Sequence, residues 1–157
     1  MQIRRATDRD SEAIAHVLRE SFAEVERLYT REGYAATTPD AARLRERFAE
    51  GPIWLAEERG AIIGTIAAVE RDGGVYVRSM AVIPLARGRG AAFQLMRQLA
   101  LFALSKHAPR LYLSTTPFLF AAIRLYESLG FRRTGEPPHD LHGTPLVTMA
   151  KPLRLAP

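Results

Sequence analysis

The amino-acid sequence predicts a mixed α+β domain, in which about four helices flank a central and mostly antiparallel sheet of about seven strands. Between Pro52 and Ile83, apolar runs separated by turn residues predict three successive strands, and Asp72-Gly73 is typical of a tight hairpin. Outside this segment, apolar residues recur three and four positions apart, which indicates amphipathic helices. A chain of 157 residues, 47% of them hydrophobic, suffices for one core, so a single domain over residues 1–157 is expected.

The first fifty residues are predicted to contain one strand and two helices. Residues 2–6 form the strand, and Asp8 or Asp10 caps a helix whose apolar face consists of Ile14, Val17, Leu18, Phe22 and Val25. Residues 27–37 break the helical pattern and include a glycine, so a loop is predicted there. Thr-Pro-Asp at positions 38–40 then supplies a cap, a first-turn proline and an acid for a second short helix.

The remainder of the chain is predicted to complete the sheet. Its six strands lie at Ile53–Glu57, Ala61–Glu70, Gly74–Ile83, Leu111–Thr115, Phe131–Thr134 and Leu146–Ala150. One helix begins after Gly90 and ends before Pro109, and another ends at Gly130, because a glycine favours helix termination. The proline-rich segment 136–145 is predicted to be a loop.

Composition narrows the range of functions. The chain contains no cysteine, which excludes disulfides, thiolate metal sites and a cysteine nucleophile. Its first residues lack the apolar core of a signal peptide, and no segment approaches the roughly 20 apolar residues of a membrane span. A cytoplasmic location without membrane contact is therefore expected.

The net charge of +5 raises the question of nucleic-acid binding. However, the arginines are interspersed with acidic residues, as in REGYAATTPDAARLRERFAE at positions 31–50, and form no long basic run. We interpret such stretches as solvated helix faces and expect no nucleic-acid partner. A nucleic-acid-binding protein stays open as an alternative that would require its arginines to cluster on one surface.

A short segment between a predicted strand and a predicted helix carries two glycines, Arg87-Gly88-Arg89-Gly90-Ala91-Ala92. The first amides of a helix have no partner inside the helix, and glycines at positive φ allow successive amides to converge on one anion. The segment lacks the lysine of a P-loop and the third glycine of a dinucleotide-binding loop. From the residues alone, a phosphate-binding loop and a merely permissive turn are both open.

The same segment resembles the [Q/R]-x-x-G-x-[G/A] loop of the GCN5-related N-acetyltransferases. The preceding MAVIP at 80–84 is similar to the fourth strand of that family, and AAIRLYESLGFRRTGE at 121–136 is similar to its tyrosine-bearing helix and the strand that follows. The opening IRRATDRDSEAIAHVL at 3–18 resembles the first strand and helix. The order of elements matches over essentially the whole chain.

The resemblance implies acetyl transfer from acetyl-CoA, as cosubstrate, to a primary amine by direct attack in a ternary complex. Backbone amides would hold the pyrophosphate at Arg87, Gly88, Arg89, Gly90, Ala91 and Ala92, and the pantetheine arm would pair with the backbone of Met80, Ala81 and Val82. The two arginine side chains could add charge-assisted bonds to phosphate. Tyr126 would donate a proton to the departing thiolate. Members of the family often form dimers, so a homodimer is a further expectation.

The sequence departs from the family pattern at two positions. Leu119 replaces an asparagine that often precedes the tyrosine, and Tyr76 occupies the position at which some members carry a glutamate base. Other candidates for the base are Glu24, Tyr29, Glu32, Tyr34, His139, Asp140 and His142. The histidines are more consistent with an exposed loop than with a metal pair, and no metal is expected. A non-catalytic acyl-CoA sensor with the same fold is the alternative to an enzyme.

Overall fold

The computed structural model describes residues 1–153, and these form one sheet with helices on both faces. The strands are β1 (Gln2–Arg5), β2 (Ile53–Glu58), β3 (Ala61–Arg71), β4 (Gly74–Val82), β5 (Arg110–Thr115), β6 (Arg132–Arg133), β7 (His139–Leu141) and β8 (Thr144–Pro152). Their order in the sheet is β1-β2-β3-β4-β5-β8-β6, and β7 also pairs with β8. Every pairing is antiparallel except that of β4 with β5.

Five α-helices accompany the sheet in this part of the chain: α1 (Ser11–Phe22), α2 (Arg31–Thr37), α3 (Ala41–Arg47), α4 (Ala91–Ser105) and α5 (Phe120–Ser128). The apolar faces of α1 and α3 cover one side of the sheet, where Leu18 and Leu44 are almost fully buried. Helix α4 covers the other side, with Leu95 and Leu99 buried against β2, β3 and β4. Two-sided packing of this kind confirms the predicted α+β class.

The prediction of a loop over residues 27–37 was wrong, because residues 31–37 form α2 and residues 23–28 form 3-10 turns. The side chain of Thr30 caps α2 by accepting a hydrogen bond from Gly33 N, and Thr30 N donates to Thr144 Oγ1 at 2.9 Å. Gly33 faces Thr144 and Leu141 so closely that a Cβ would collide with both. The glycine therefore permits close packing of the helix and does not interrupt it.

The prediction of a loop over residues 136–145 was also wrong in part. Strands β7 and β8 form a hairpin in which Leu141 pairs with Thr144. The two residues between them, His142 and Gly143, both have positive φ, as a type I′ turn requires. Histidine is a less familiar first residue for this turn than asparagine or aspartate, so the sequence did not indicate the hairpin.

Smaller differences from the predictions concern the cap of α3 and the numbers of strands and helices. Asp40, and not Thr38, caps α3 by accepting from Arg43 N at 2.9 Å. Eight strands and five α-helices over residues 1–153 compare with the expected seven and four, and the additional elements are short. Residues 154–157, included in the expected single domain, lie outside the described part. None of the helices in residues 1–153 combines the length and apolar character that a membrane crossing needs.

Candidate functional site

Strands β4 and β5 separate soon after they begin. They pair in parallel only at Val75 with Leu111 and at Tyr76 with Tyr112. Beyond Tyr76, within the described residues, the edge of β4 that faces β5 has no strand partner. An unpaired strand edge offers N–H and C=O groups to any extended ligand.

An irregularity in β4 accompanies this separation. Ser79 has φ +54, which is unusual for a residue other than glycine, and the register between β3 and β4 shifts beside it. Before the shift, the odd-numbered residues Val75 and Val77 pack on the α4 side of the sheet. After the shift, the even-numbered Val82 packs on the α4 side, and the odd-numbered Ala81 packs on the α1 side. A β-bulge thus reverses the facing of alternate residues and bends the strand.

The space between the separated strands is a cleft of about 890 Å³. A volume of several hundred Å³ is typical of small-molecule sites. Residues of β4, β5, α4, α5 and the segment from α1 to α3 contribute to its walls. Several predicted site residues line it, namely Met80, Val82, Arg87, Gly88, Gly90, Ala91, Ala92 and Tyr126. The side chains of Ala81 and Arg89 lie outside the lining.

Residues 87–92, the glycine loop, lead from β4 into the first turn of α4. Gly88 and Gly90 have φ +82 and +86, and a Cβ on either would meet no atom within 4 Å. Gly90 is the N-cap of α4, and the first helical bond runs from Gln94 N to Gly90 O at 3.0 Å. The amides of the first turn therefore have no partner inside the helix and meet an open cleft, as in an anion-binding site.

The side chains of the two loop arginines are engaged elsewhere. Arg87 donates to Glu24 Oε1 at 2.7 Å, to the carbonyl of Ser21 at 3.0 Å and to the carbonyl of Val82 at 3.1 Å. Arg87 thereby ties the start of the loop to the end of α1. Arg89 forms an ion pair with Glu58, the last residue of β2. What the loop presents to the cleft is backbone.

Tyr126 lies on α5 and is partly buried beneath the cleft, with its ring edge-on to Phe131 at 6.0 Å between centroids. Burial raises the pKa of its hydroxyl well above the usual value for tyrosine, and the neighbouring Tyr29 and Tyr76 raise it further. The hydroxyl consequently remains protonated over the whole physiological pH range.

Unsatisfied polar atoms are concentrated at the cleft. Within residues 1–153, four buried side-chain polar atoms have no hydrogen-bond partner, and all four belong to cleft-lining residues: Ser21 Oγ, Arg47 Nε, Arg78 Nε and Thr116 Oγ1. Buried polar groups are normally paired, and an unpaired one costs free energy. Buried polar groups without partners thus lie around the cleft in this part of the chain, although the protein itself covers these four atoms.

Of the four candidate bases near the first helix, two line the cleft and two do not. Tyr29 and Glu24 line the cleft, but Glu24 is committed to Arg87. Burial raises the pKa of Tyr29, so a smaller fraction of it is ionised and able to accept a proton at neutral pH than for an ordinary tyrosine. Tyr34 packs behind Tyr29 with 5.9 Å between ring centroids, and Glu32 does not line the cleft.

The candidates in the late segment lie outside the cleft. His139 borders a separate hollow, where its Nε2 is 3.2 Å from Ser114 Oγ. Asp140 accepts from Gly143 N in the hairpin turn, and His142 is exposed in the same turn. No group of three His, Asp or Glu side chains within residues 1–153 is arranged to hold a metal ion.

The prediction that residues 31–50 carry only solvated arginines was wrong for one of them. Arg47, the last residue of α3, is half-buried and lines the cleft. Arg47 and Arg78 converge there from α3 and β4, and Arg47 donates to Ser79 Oγ at 3.1 Å. The helical pattern of α3 places Leu44 inward but does not indicate that the helix ends over a bulged strand. Only the tertiary arrangement identifies Arg47.

Comparison with known proteins agrees with this geometry. The sequence profile of the acetyltransferase (GNAT) family matches residues 14–131. An uncharacterized N-acetyltransferase of Escherichia coli, YjgM, is 33% identical over 139 residues, which are 82% of this chain and 80% of that protein. The crystal structure of PaiA N-acetyltransferase from Thermoplasma acidophilum, in complex with coenzyme A, has a TM-score of 0.83 with 15% identity and covers 97% of this chain and 98% of its own.

The chain therefore belongs to the GNAT family of acetyltransferases. N-acetylaspartate synthetase of Danio rerio is a further relative, 42% identical over 85 residues. That match covers 53% of this chain and 30% of the fish protein, so the chain spans less than a third of the relative's length. The PaiA structure, at its low identity, supports the fold alone.

Proposed function

We propose that this protein is an acetyl-CoA-dependent N-acetyltransferase that acts on a primary amine. The observation that carries the proposal is the continuity of the cleft. The unpaired edge of β4 leads through a 3-10 turn at Pro84–Ala86 into the glycine loop at the start of α4, and Tyr126 lines the same cleft. An extended strand-like arm that ends in a pyrophosphate matches this arrangement, and coenzyme A has that form.

The backbone supplies the binding groups in this proposal. Amides of the glycine loop and of the first turn of α4 donate to the pyrophosphate oxygens, and the positive end of the helix dipole attracts their charge. The edge of β4 near Met80 and Val82 pairs with the amide groups of the pantetheine arm. An N–H of the same edge donates to the thioester carbonyl oxygen and stabilises the negative charge that develops there during attack.

Tyr126 is the general acid. When the amine nitrogen bonds to the carbonyl carbon and the carbon–sulfur bond breaks, Tyr126 gives its proton to the sulfur, which leaves as a thiol. The nitrogen loses one proton in the same reaction, and this proton restores Tyr126 by way of water. The raised pKa of Tyr126 means that the hydroxyl carries its proton at every pH at which the amine is reactive, and it also makes the hydroxyl a weaker acid towards the thiolate.

The described residues provide no free carboxylate to deprotonate the amine. Glu24 is the one acidic side chain that lines the cleft, and Arg87 neutralises it. Tyr76 occupies the strand position of the glutamate base, packed between Arg71 and Tyr112. We infer that the acceptor enters the reaction as the neutral amine, after its proton has passed to water.

A titration of the purified protein with acetyl-CoA, followed by a thiol-release assay against a set of amines, tests the proposal. Saturable binding at a one-to-one ratio, with thiol released in the presence of at least one amine, is expected. Binding without thiol release from any amine would favour the acyl-CoA sensor. Absence of binding would show that the glycine loop had been misinterpreted. Because N-acetylaspartate synthetase of Danio rerio is a relative, aspartate belongs in this set of amines.

A further inference from the structure

Arg47 has no ion-pair partner of its own in the described chain, and Glu50, the carboxylate that raises its pKa, is paired with Arg78. None of the ion pairs within residues 1–153 includes it, although each arginine around it has a carboxylate of its own. Arg43 pairs with Glu46 at 2.7 Å, and Arg78 pairs with Glu50 at 3.1 Å. Arg47 instead donates to two neutral oxygens, Ser79 Oγ and, at 3.4 Å, the carbonyl of Ala36.

The environment of Arg47 is unfavourable for a cation without an anion. Burial lowers the pKa of its guanidinium to about 10, and the positive charges of Arg78 and Arg43 act in the same direction. Its Nε is buried without a hydrogen-bond partner. A guanidinium removed from water is normally paired with a carboxylate or phosphate, because only an anion compensates the lost hydration.

The unbalanced charge faces the cleft beside the reacting end of the proposed acetyl-CoA site. Arg47 and Arg78 both line the cleft, and both have a buried Nε without a partner. Ser79, which Arg47 contacts, immediately precedes Met80 on the bulged strand. An anionic group held by Arg47 would therefore lie next to the strand edge that aligns the thioester, at the end opposite the glycine loop.

We propose that Arg47, supported by Arg78, binds a carboxylate of the amine acceptor, which is consequently a small amino acid or a similar amino carboxylate. The two terminal nitrogens of a guanidinium form a planar fork that matches a carboxylate in a bidentate manner, and, within residues 1–153, those of Arg47 donate only to neutral oxygens. This inference rests on the proposed function and specifies the class of its acceptor.

The test measures binding separately from turnover. The protein is loaded with CoA, which lacks an acetyl group, and titrated with glycine, β-alanine, L-aspartate and L-glutamate and with the amide of each. We expect at least one of these acids to bind and its amide to bind at least tenfold more weakly. Arg47→Met should weaken binding of the acid at least tenfold, whereas Glu50→Gln, which removes a competing negative charge, should strengthen it.

Matched variants separate recognition from folding. Arg45→Met removes an exposed arginine of the same helix and should leave the binding of acids unchanged. Arg47→Lys retains the charge without the planar fork, and partial recovery is expected. Thermal unfolding of each variant, with and without CoA, identifies any loss of structure. In turnover, Arg47→Met should raise KM for the acid while its effect on the amide is small.

This inference would be overturned by amides that bind as well as the acids, by an unchanged Kd in a folded Arg47→Met variant, or by no binding of any acid to the CoA-loaded protein. Stronger binding of inorganic phosphate than of every acid would also overturn it, because the site would then recognise a different anion. The proposed function fails separately, through the absence of acetyl-CoA binding or of thiol release with every amine.

Discussion

The two ends of the cleft are constructed from different chemical groups. At the glycine loop, both arginines are neutralised by Glu24 and Glu58, and the surface offered to a ligand consists of backbone amides. At the opposite end, Arg47 has no ion-pair partner among residues 1–153, and the Nε atoms of Arg47 and Arg78 are buried without a hydrogen-bond partner. The glycine-loop end therefore suits a part of the ligand that does not vary, and the Arg47 end suits a part of the ligand that is selected by its charge.

This difference explains why net charge is a poor guide to function here. The sequence suggested both loop arginines as phosphate ligands. In the structure, the side chain of Arg87 joins α1 to β4, and that of Arg89 forms a surface ion pair with Glu58. The arginine with an unbalanced charge is in a stretch that has the composition of a solvated helix. Electrostatic function depends on which charges remain unpaired after folding.

The largest effect is expected for Tyr126→Phe, which removes the proposed acid and retains the ring. We expect kcat to fall by about 10²-fold or more, within the usual contribution of general acid catalysis, and the Kd for CoA to remain unchanged. Single-turnover kinetics and calorimetry measure the two quantities. Tyr112→Phe, outside the main cleft, is the matched control. Full activity in Tyr126→Phe would remove the acid from the mechanism.

Gly90→Val tests whether the backbone amides of the glycine loop bind the ligand. We expect the Kd for CoA to rise about 10- to 100-fold, since charge-assisted hydrogen bonds are each worth about 1.5–3 kcal/mol and the new side chain obstructs the approach to them. Gly73→Val is the control. Gly73 has φ +85, close to the +86 of Gly90, and its Cβ would also meet no atom within 4 Å.

Both glycine substitutions impose similar backbone strain, about 1–2 kcal/mol, so similar losses of thermal stability are expected. Only Gly90→Val should weaken CoA binding, because Gly73 lies in the hairpin between β3 and β4. Equal CoA affinity in the two variants would mean that the glycine loop does not contact the ligand.

The pH dependence of the reaction tests the absence of a carboxylate base from the described cleft. If the neutral amine is the reactant, log kcat/KM should rise with a slope of about one per pH unit up to the pKa of the amine. No decline should appear near pH 10, the ordinary tyrosine pKa, because burial raises the pKa of Tyr126 and keeps the acid protonated. A plateau far below the pKa of the amine would instead reveal a base on the protein.

The smallest effect is expected for Arg89→Met. An exposed ion pair contributes about 0–1 kcal/mol, and the Arg89 guanidinium does not line the cleft, so the Kd for CoA should change less than about threefold. Calorimetry at constant ionic strength measures this change. A tenfold loss of affinity would show that Arg89 leaves Glu58 to contact phosphate, and the contrast between the two ends of the cleft would be weaker.

Several parts of the fold were predictable because they depend on local periodicity. The three strands from Ile53 to Val82, the long helix after Gly90 and the apolar face of α1 all follow from residues a few positions apart. The β7–β8 hairpin and α2 were missed because long-range contacts support them. Thr30, for example, bonds to Thr144, which lies 114 residues later.

The candidate site was likewise predictable only in part. The glycine loop and Tyr126 stand in short motifs, and the structure assembles them in one cleft, while their roles remain predictions. The bulge at Ser79, the separation of β4 from β5 and the exposed aromatic side chain of Phe120 leave no comparable local pattern. Phe120 is 71% exposed and lines the cleft.

The sequence by itself determined the fold class, the family and the place of the glycine loop, because each depends on near neighbours in the chain. Tertiary structure alone decided which charges are neutralised and which remain unpaired. Pairing depends on residues brought together from distant positions, such as Arg87 with Glu24 and Arg47 with Ser79. Burial then decides how much an unpaired charge matters, since water no longer screens it.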